Sequence, residues 1–299
     1  NTKSLYDLYL VNMIDKKINK KFGGDFELTK NNFNSNNQKT SNLFKKPFIY
    51  YLDTGRSAIK ISLQNIIKKS SIKKAWIPYF ICESAIRPFI ELGFDIEYYG
   101  MGEKLDNPRG LPKKLNNCVF LFTHYFGKSN VPILKYIEQC ADESVVIIED
   151  CVQSCLSKNT GTRGDYLIHS LRKFLPVPDG AILESNTELD LPISKPNEEF
   201  ISNKLISKLL KGFNIENDEE YLFYYKKGEE LLDSKIIPRE MSAFSKYIFS
   251  NLNLNDIHKK RIENWLALNE FFNKSSLNTK SLVSVYQNDK NINIPLTYP

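Results

Sequence analysis

The sequence predicts an α/β protein built on a mostly parallel central sheet with helices on both faces. Two observations carry that expectation. Strand-like runs alternate with amphipathic helical segments from Pro47 to Glu184, and several runs, such as 118–123 and 144–148, are apolar at successive positions rather than every second one. A strand that is apolar on both sides must be buried on both, the situation of a parallel strand between two helical layers. The 299 residues, 41% of them apolar and 12% aromatic, suffice for one large core or a core plus a smaller domain.

The elements follow in order. Residues 1–46 are polar, with a helix-like stretch over 5–18, a Gly23-Gly24 break and an Asn-rich run over 31–37, and form an N-terminal arm. A large α/β domain over 47–215 opens with a strand over 48–52. In the helix that follows, Ile59, Leu63, Ile66 and Ile67 fall at i, i+4, i+7 and i+8 and make one apolar face. A short strand over 75–77, a helix over 83–92 closed by Gly93 and a strand over 95–99 come next. Strand 118–123, helix 131–140 and strand 144–148 repeat the alternation, and 166–169 reads as a further strand. Beyond Glu184 the texture becomes helical, over 200–210, 219–232, 241–249 and 256–272, so that 216–299 holds a helical segment and the start of a small C-terminal domain. The last stretch, 281–298, reads as strand and turn.

Charge and composition exclude several classes. The formal charge of +6 is modest, and the lysines are scattered rather than gathered into a block, which argues against nucleic-acid binding. The apolar runs fall far short of the ~20 residues of a membrane span, and no basic-then-apolar leader opens the sequence. Five cysteines, Cys82, Cys118, Cys140, Cys151 and Cys155, are odd in number and lie mostly in apolar context, as expected of reduced thiols in a cytoplasm. Cys151 and Cys155 are four apart, but none of His124, His169 and His258 accompanies them at a zinc-ligand spacing, so no metal is expected.

Three places carry candidate chemistry. Gly55, Arg56 and Ser57 sit where a strand gives way to a helix, where backbone N–H groups and the helix dipole suit a phosphate; a well-capped helix explains the same residues. Asp150 ends the run Val145-Val146-Ile147-Ile148-Glu149-Asp150. Ligands of open α/β sheets bind beyond the carboxyl ends of the strands, and an acid there can keep a pyridinium nitrogen protonated, although a loop carboxylate fits the pattern too. Lys173 follows the strand-like Tyr166-Leu167-Ile168-His169, keeps Ser170 three residues before it, and precedes the apolar Phe174-Leu175-Pro176-Val177-Pro178. A lysine in apolar surroundings has a lowered pKa and can form a Schiff base with an aldehyde; the duller reading is a solvated surface cation.

Taken together, Gly55-Arg56-Ser57-Ala58, Ile77-Pro78-Tyr79-Phe80, His124-Tyr125-Phe126-Gly127, Ile148-Glu149-Asp150 with Gln153, Gly164-Asp165, Ser170 with Lys173, and Gly180 resemble the motifs of DegT/StrS-type sugar aminotransferases, in the family's order. The resemblance implies fold type I of the pyridoxal 5'-phosphate (PLP) enzymes and a homodimer. It implies that Lys173 carries the cofactor and shuttles the proton, that Asp150 pairs with the pyridine nitrogen, and that Gln153 contacts the ring or its 3-hydroxyl. Gly55, Arg56, Ser57 and Ser170 would hold the phosphate, and Tyr79 or Phe80 would stack on the ring. His124 is open between a site residue and a structural one. The family's dehydratases carry histidine where this chain has Lys173, so amino transfer is implied, from an amino acid such as glutamate to a keto-sugar, plausibly nucleotide-linked. Three features depart from the family. Ser170 and Lys173 are three apart where many members have five; Pro238-Arg239-Glu240-Met241-Ser242 lacks the asparagine of the corresponding segment; and the sequence stops where relatives enter a C-terminal subdomain, so that part looks truncated. These departures support a second reading, a non-catalytic binding or scaffold protein.

Overall fold

The computed structural model describes residues 25–29, 32, 44–274 except 106, 156, 158, 214–217 and 234, and 295–296. Most of the expected arm and most of the expected terminal strand lie outside the described residues.

Eight strands form one sheet: β1 (Phe48–Leu52), β2 (Lys74–Pro78), β3 (Asp95–Met101), β4 (Pro108–Arg109), β5 (Val119–Thr123), β6 (Val146–Asp150), β7 (Tyr166–Ser170) and β8 (Ala181–Ser185). Their order is β1-β8-β7-β6-β5-β2-β3-β4. Strands β3, β2, β5, β6 and β7 run parallel, while β8 is antiparallel to both β7 and β1, and β4 to β3. The mostly parallel sheet is as expected. The helices are α1 (Gly55–Lys69), α2 (Glu83–Glu91), α3 (Val131–Cys140), α4 (Glu198–Gly212), α5 (Asp218–Asp233), α6 (Ala243–Asn251) and α7 (Leu254–Lys274).

Successive residues of one strand serve different layers. Val119 and Leu121 join α1 residues such as Ile59 and Leu63 in one core, whereas Phe120 and Phe122 pack with Ile133 and Ile137 of α3 in another. On β8, Leu183 faces the α1 layer, and Ile182 packs with Phe174, Met241 and Ile248 beneath α6. This double burial explains the continuous apolar runs.

Helix starts follow local chemistry. Thr54, Asn130, Asn197 and Ser242 each accept a backbone N–H at the start of α1, α3, α4 and α6. Gly93 ends α2 with a positive φ of 68°, a conformation that costs glycine nothing. Helices α4 and α5 pack on each other across the expected domain boundary at 215.

The register brings four strand ends to one edge. Asp150 lies beside Thr123 and Ile168, and Ser170 and Leu52 both lie beside Ala181. Between β2 and β5 the chain changes direction along the sheet, the place where open α/β sheets form a ligand crevice at the carboxyl ends of the strands.

Candidate active site

Asp150 is the centre of this edge. It is 5% exposed; its Oδ1 accepts the Val152 N–H at 2.9 Å, and its Oδ2 accepts the Thr123 hydroxyl at 3.2 Å. Burial pushes its carboxyl up, while the Val152 N–H, Lys173, Thr123 and His124 pull the other way. A buried acid with so little support gains from a cation placed against it.

Lys173 closes a single helical turn (Leu171–Lys173) that leaves the end of β7, within electrostatic reach of Asp150. Its neighbours Leu171, Phe174, Leu175 and Val177 are buried, but Lys173 itself is exposed. The expected apolar surroundings are therefore a floor beneath the turn rather than an enclosure around the amine. Ser170, 8% exposed, ends β7 at the same edge.

Gly55 begins α1 beside this centre. A Cβ there would lie 3.5 Å from Val152 Cγ2 and 3.9 Å from Ile168 Cγ2, so the helix start abuts the loop that follows Asp150. Thr54 Oγ1 accepts the Ser57 N–H at 3.3 Å, and the Ser57 hydroxyl is 3.0 Å from Thr54 Oγ1 and 3.5 Å from the Ile237 carbonyl. The Gly55 and Arg56 N–H groups keep no partner among the described residues and lie at the positive end of the helix dipole. Arg56 does not turn toward them. Its guanidinium donates to the Leu232 carbonyl at 2.7 Å and pairs with Asp233 at 3.2 Å, at the C-terminus of α5.

Gln153 Oε1 accepts the N–H of Phe126 at 2.8 Å. This fixes Phe126 at φ 55°, a left-handed conformation unusual for a bulky residue, in the turn after β5. Phe80, 56% exposed, lies 5.6 Å from the ring of Tyr125, whose hydroxyl donates to the Phe80 carbonyl at 2.9 Å. Tyr79, 77% exposed, sits edge-on to Tyr98. Phe80 and Tyr125 thus border the crevice while Tyr79 faces outward.

The opposite face of the same strand end is structural. Glu149 and His124 are fully buried; His124 Nδ1 accepts the Asn130 N–H at 2.9 Å, so Nε2 carries the proton and donates to Glu149 Oε1 at 2.6 Å. Glu149 also accepts the N–H groups of Gly161, Thr162, Arg163 and Gly164. Burial alone would raise this carboxyl, but His124 and those N–H groups outweigh it and hold it at about 2. A Cβ at Gly164 would fall 2.6 Å from Glu149 Cβ, so the loop closes on Glu149 only because residue 164 is glycine. With both ring nitrogens engaged, His124 holds the loop and the strand end together. His124, Glu149 and Cys151 offer metal-ligand atoms within 4.8 Å of one another, but both imidazole nitrogens and both carboxylate oxygens are already hydrogen-bonded.

Sequence reasoning passed over three residues here. Thr123 carries an Asp150 contact, and its only signal is a polar residue ending an apolar strand. Asp53 is buried next to the α1 start, with its carboxyl pushed up to about 6 mainly by burial and further by Asp179. Asp179 is buried too and accepts Ser242 N at 2.7 Å and the Ser242 hydroxyl at 2.6 Å, tying the Gly180 turn to α6. All five cysteines are free; Cys118 and Cys151 are buried, whereas Cys82 is exposed at the start of α2. No described helix is long and apolar enough to cross a membrane.

The donor set suits PLP: a buried acid in need of a cation, a lysine in its field, two unpartnered N–H groups at a helix start and an aromatic border. Comparison with family models finds none that matches the chain, and comparison with curated proteins finds no relative. Among solved structures the chain is similar to 3-amino-5-hydroxybenzoic acid synthase, at 13% identity and a TM-score of 0.47, over 77% of this chain and 57% of that one. It is similar to the E. coli GDP-4-keto-6-deoxy-D-mannose-3-dehydratase with bound hydrated PLP, at 13% identity and a TM-score of 0.42, over 64% and 59%. It is also similar to a DegT DnrJ EryC1 StrS aminotransferase from Brucella abortus, at 20% identity and a TM-score of 0.34, over 48% and 42%. The chain spans less than two thirds of the length of each.

Proposed function

We propose that this chain is a PLP-dependent aminotransferase of the DegT/StrS type, moving an amino group from an amino acid, glutamate being the simplest donor, to a keto-sugar that is plausibly nucleotide-linked. The observation that carries the reading is Asp150, buried and raised, with Lys173 in its field on the exit from the adjacent strand, at the carboxyl edge of a mostly parallel sheet. When bound, the cofactor supplies an electron-withdrawing ring that makes the Cα–H of an attached amine acidic.

The chain's residues do the rest. Asp150 would hold the ring nitrogen protonated, which would also relieve the cost of its own buried charge. Lys173 Nζ would hold the cofactor, and its amine would serve as the base that takes the proton from the donor Cα and returns one to the acceptor. The Gly55 and Arg56 N–H groups and the Ser170 hydroxyl orient the phosphate. Phe80 would cover one side of the ring, and Gln153 fixes the turn at Phe126. The exposed Tyr79, Phe80 and Lys173 favour a homodimer in which a second copy covers this edge. The α/β domain over 47–215 would hold the cofactor and 216–299 would begin a smaller domain. Five free cysteines suit a cytoplasmic protein.

One observation favours the scaffold reading: Arg56 is engaged with α5, so the phosphate would be held without its charge. Adding PLP to purified protein and then glutamate separates the two. A visible band that forms with PLP, bleaches with glutamate and is absent from Lys173→Ala is the expected result; a wild-type protein that takes up no PLP leaves only the scaffold.

A further inference from the structure

Helix α4 buries three lysines on one face, at positions i, i+4 and i+7: Lys204, Lys208 and Lys211. The Lys204 and Lys208 side chains are fully buried. Such burial is rare because each ammonium loses its hydration. Lys208 Nζ donates to the Phe26 carbonyl at 3.3 Å and Lys204 Nζ lies 3.9 Å from the centre of the Tyr225 ring, while the carboxylates are shared. Lys204 Nζ lies 2.7 Å from Asp25 Oδ2 and 2.7 Å from Glu229 Oε1; Lys208 Nζ reaches the same Asp25 oxygen at 3.3 Å. Arg172, the residue before Lys173, shares Glu229 Oε1 at 2.9 Å, and its buried Nε has no hydrogen-bond partner among the described residues. Three cations therefore share two single carboxylate oxygens, while Lys211 Nζ holds the Asp25 carbonyl at 2.5 Å.

The covering is a separate strap. Residues 25–28 reach α4 from far away in sequence, and Leu28 donates its N–H to the Lys208 carbonyl at 3.2 Å. The strap lies so close that a Cβ on Gly212 would meet the Leu28 carbonyl oxygen at 2.3 Å. On the other side, a Cβ on Gly228 of α5 would lie 2.6 Å from Lys204 Cδ. Glycines thus make room for both the cations and their cover.

We propose that Arg172, Lys204 and Lys208 form a receptor for a phosphoryl dianion and that the Asp25 carboxylate is its removable occupant. A phosphoryl group offers three terminal oxygens to three cations and can take two N–H donors of Arg172 at once, including the unpartnered Nε, which a shared carboxylate oxygen cannot. Burial holds Lys208 down at about 8; the Asp25 charge is the next largest influence and opposes it, while repulsion from Arg172 and Lys204 adds to it. The site is separate from the cofactor reading and does not rest on it. Because Arg172 adjoins Lys173, the bound anion would sit on the far side of the turn that carries Lys173. Its source is either free phosphate or the diphosphate of a nucleotide-linked ligand.

The test is titration of the full chain, saturated with PLP where it binds, with inorganic phosphate and separately with uridine diphosphate, by calorimetry at ionic strength matched with chloride. Asp25→Asn removes the occupant and Gly212→Ala forces the strap away, so each should tighten phosphate binding by about tenfold. Lys208→Met should weaken it by about tenfold, and by removing a buried charge that shares its carboxylate with Lys204 it should raise Tm in phosphate-free buffer. Unchanged cofactor uptake in Lys208→Met keeps this outcome apart from that of the active site. Binding of phosphate alone assigns the source as a small dianion, and binding of both probes with the same dependence assigns a diphosphate. Absence of saturable binding of either probe to any of the four proteins overturns the proposal, as does equal affinity in all four. If Asp25→Asn fails to fold, Gly212→Ala and Lys208→Met decide.

Discussion

Glu149 and Asp150 are adjacent carboxylates at the end of one strand, and the two faces of the sheet give them opposite fates. Glu149 points into the layer beneath α3, where His124 and four backbone N–H groups hold it at about 2. Asp150 points toward the start of α1, keeps two hydrogen bonds and is pushed up by burial. Hydrogen-bond supply, rather than burial, makes the difference. A fully satisfied acid is a fixture of the fold, whereas an acid left short of partners has affinity to spare for a ligand cation.

Four substitutions or conditions break or sharpen this contrast. Glu149→Gln should have the largest effect: it removes the charge that His124 and the 161–164 loop are arranged around, and stability to urea should fall by about 3 kcal/mol. Asp150→Asn should behave in reverse, changing stability by less than about 1 kcal/mol while cofactor-dependent activity collapses; a loss of stability equal to that of Glu149→Gln would erase the distinction. The pH dependence has opposite signs at the two sites. Between about 2 and the unfolded value of 4.5 the unfolded chain binds more protons at Glu149, so its contribution is full above 4.5 and is lost as pH falls. At Asp150 the folded chain holds its proton above the unfolded value of 3.8, so that residue costs stability as pH rises. Urea midpoints between pH 3 and 7 should therefore fall less on the acid side in Glu149→Gln than in the wild type, and fall fully in Asp150→Asn. Thr123→Val should be the smallest change, about 1 kcal/mol, and should raise the Asp150 carboxyl further because one of its two donors is gone.

Local pattern explains how much of this could be read in the sequence. Strands β5 and β6 announce themselves because burial on both faces writes a continuous apolar run, and Asp150 is visible as the acid that ends one. The Val131–Cys140 helix was readable from its periodicity and follows the Asn130 cap. Strand β8 was harder, since its Ala181-Ile182-Leu183-Glu184-Ser185 follows a proline-rich turn, and Glu184 points inward to meet His169 at 2.8 Å. Long-range contacts were invisible. Nothing near Arg56 signals that the end of α5, 176 residues on, will capture its guanidinium. Nor does the amphipathic pattern of α4 predict buried lysines, because their partner Asp25 lies in a segment whose docking depends on Gly212. Lys173 fell between: its place in the turn was readable, but its exposure was not, because the neighbouring apolar residues pack beneath it.

The most direct measurement is to fix PLP to its amine with borohydride and map the labelled peptide. The account predicts the label on Lys173 in the wild type, and no label in Lys173→Ala. Label on another lysine, Lys208 foremost because its amine is held down at about 8, would contradict it, as would a wild-type protein that takes up no label.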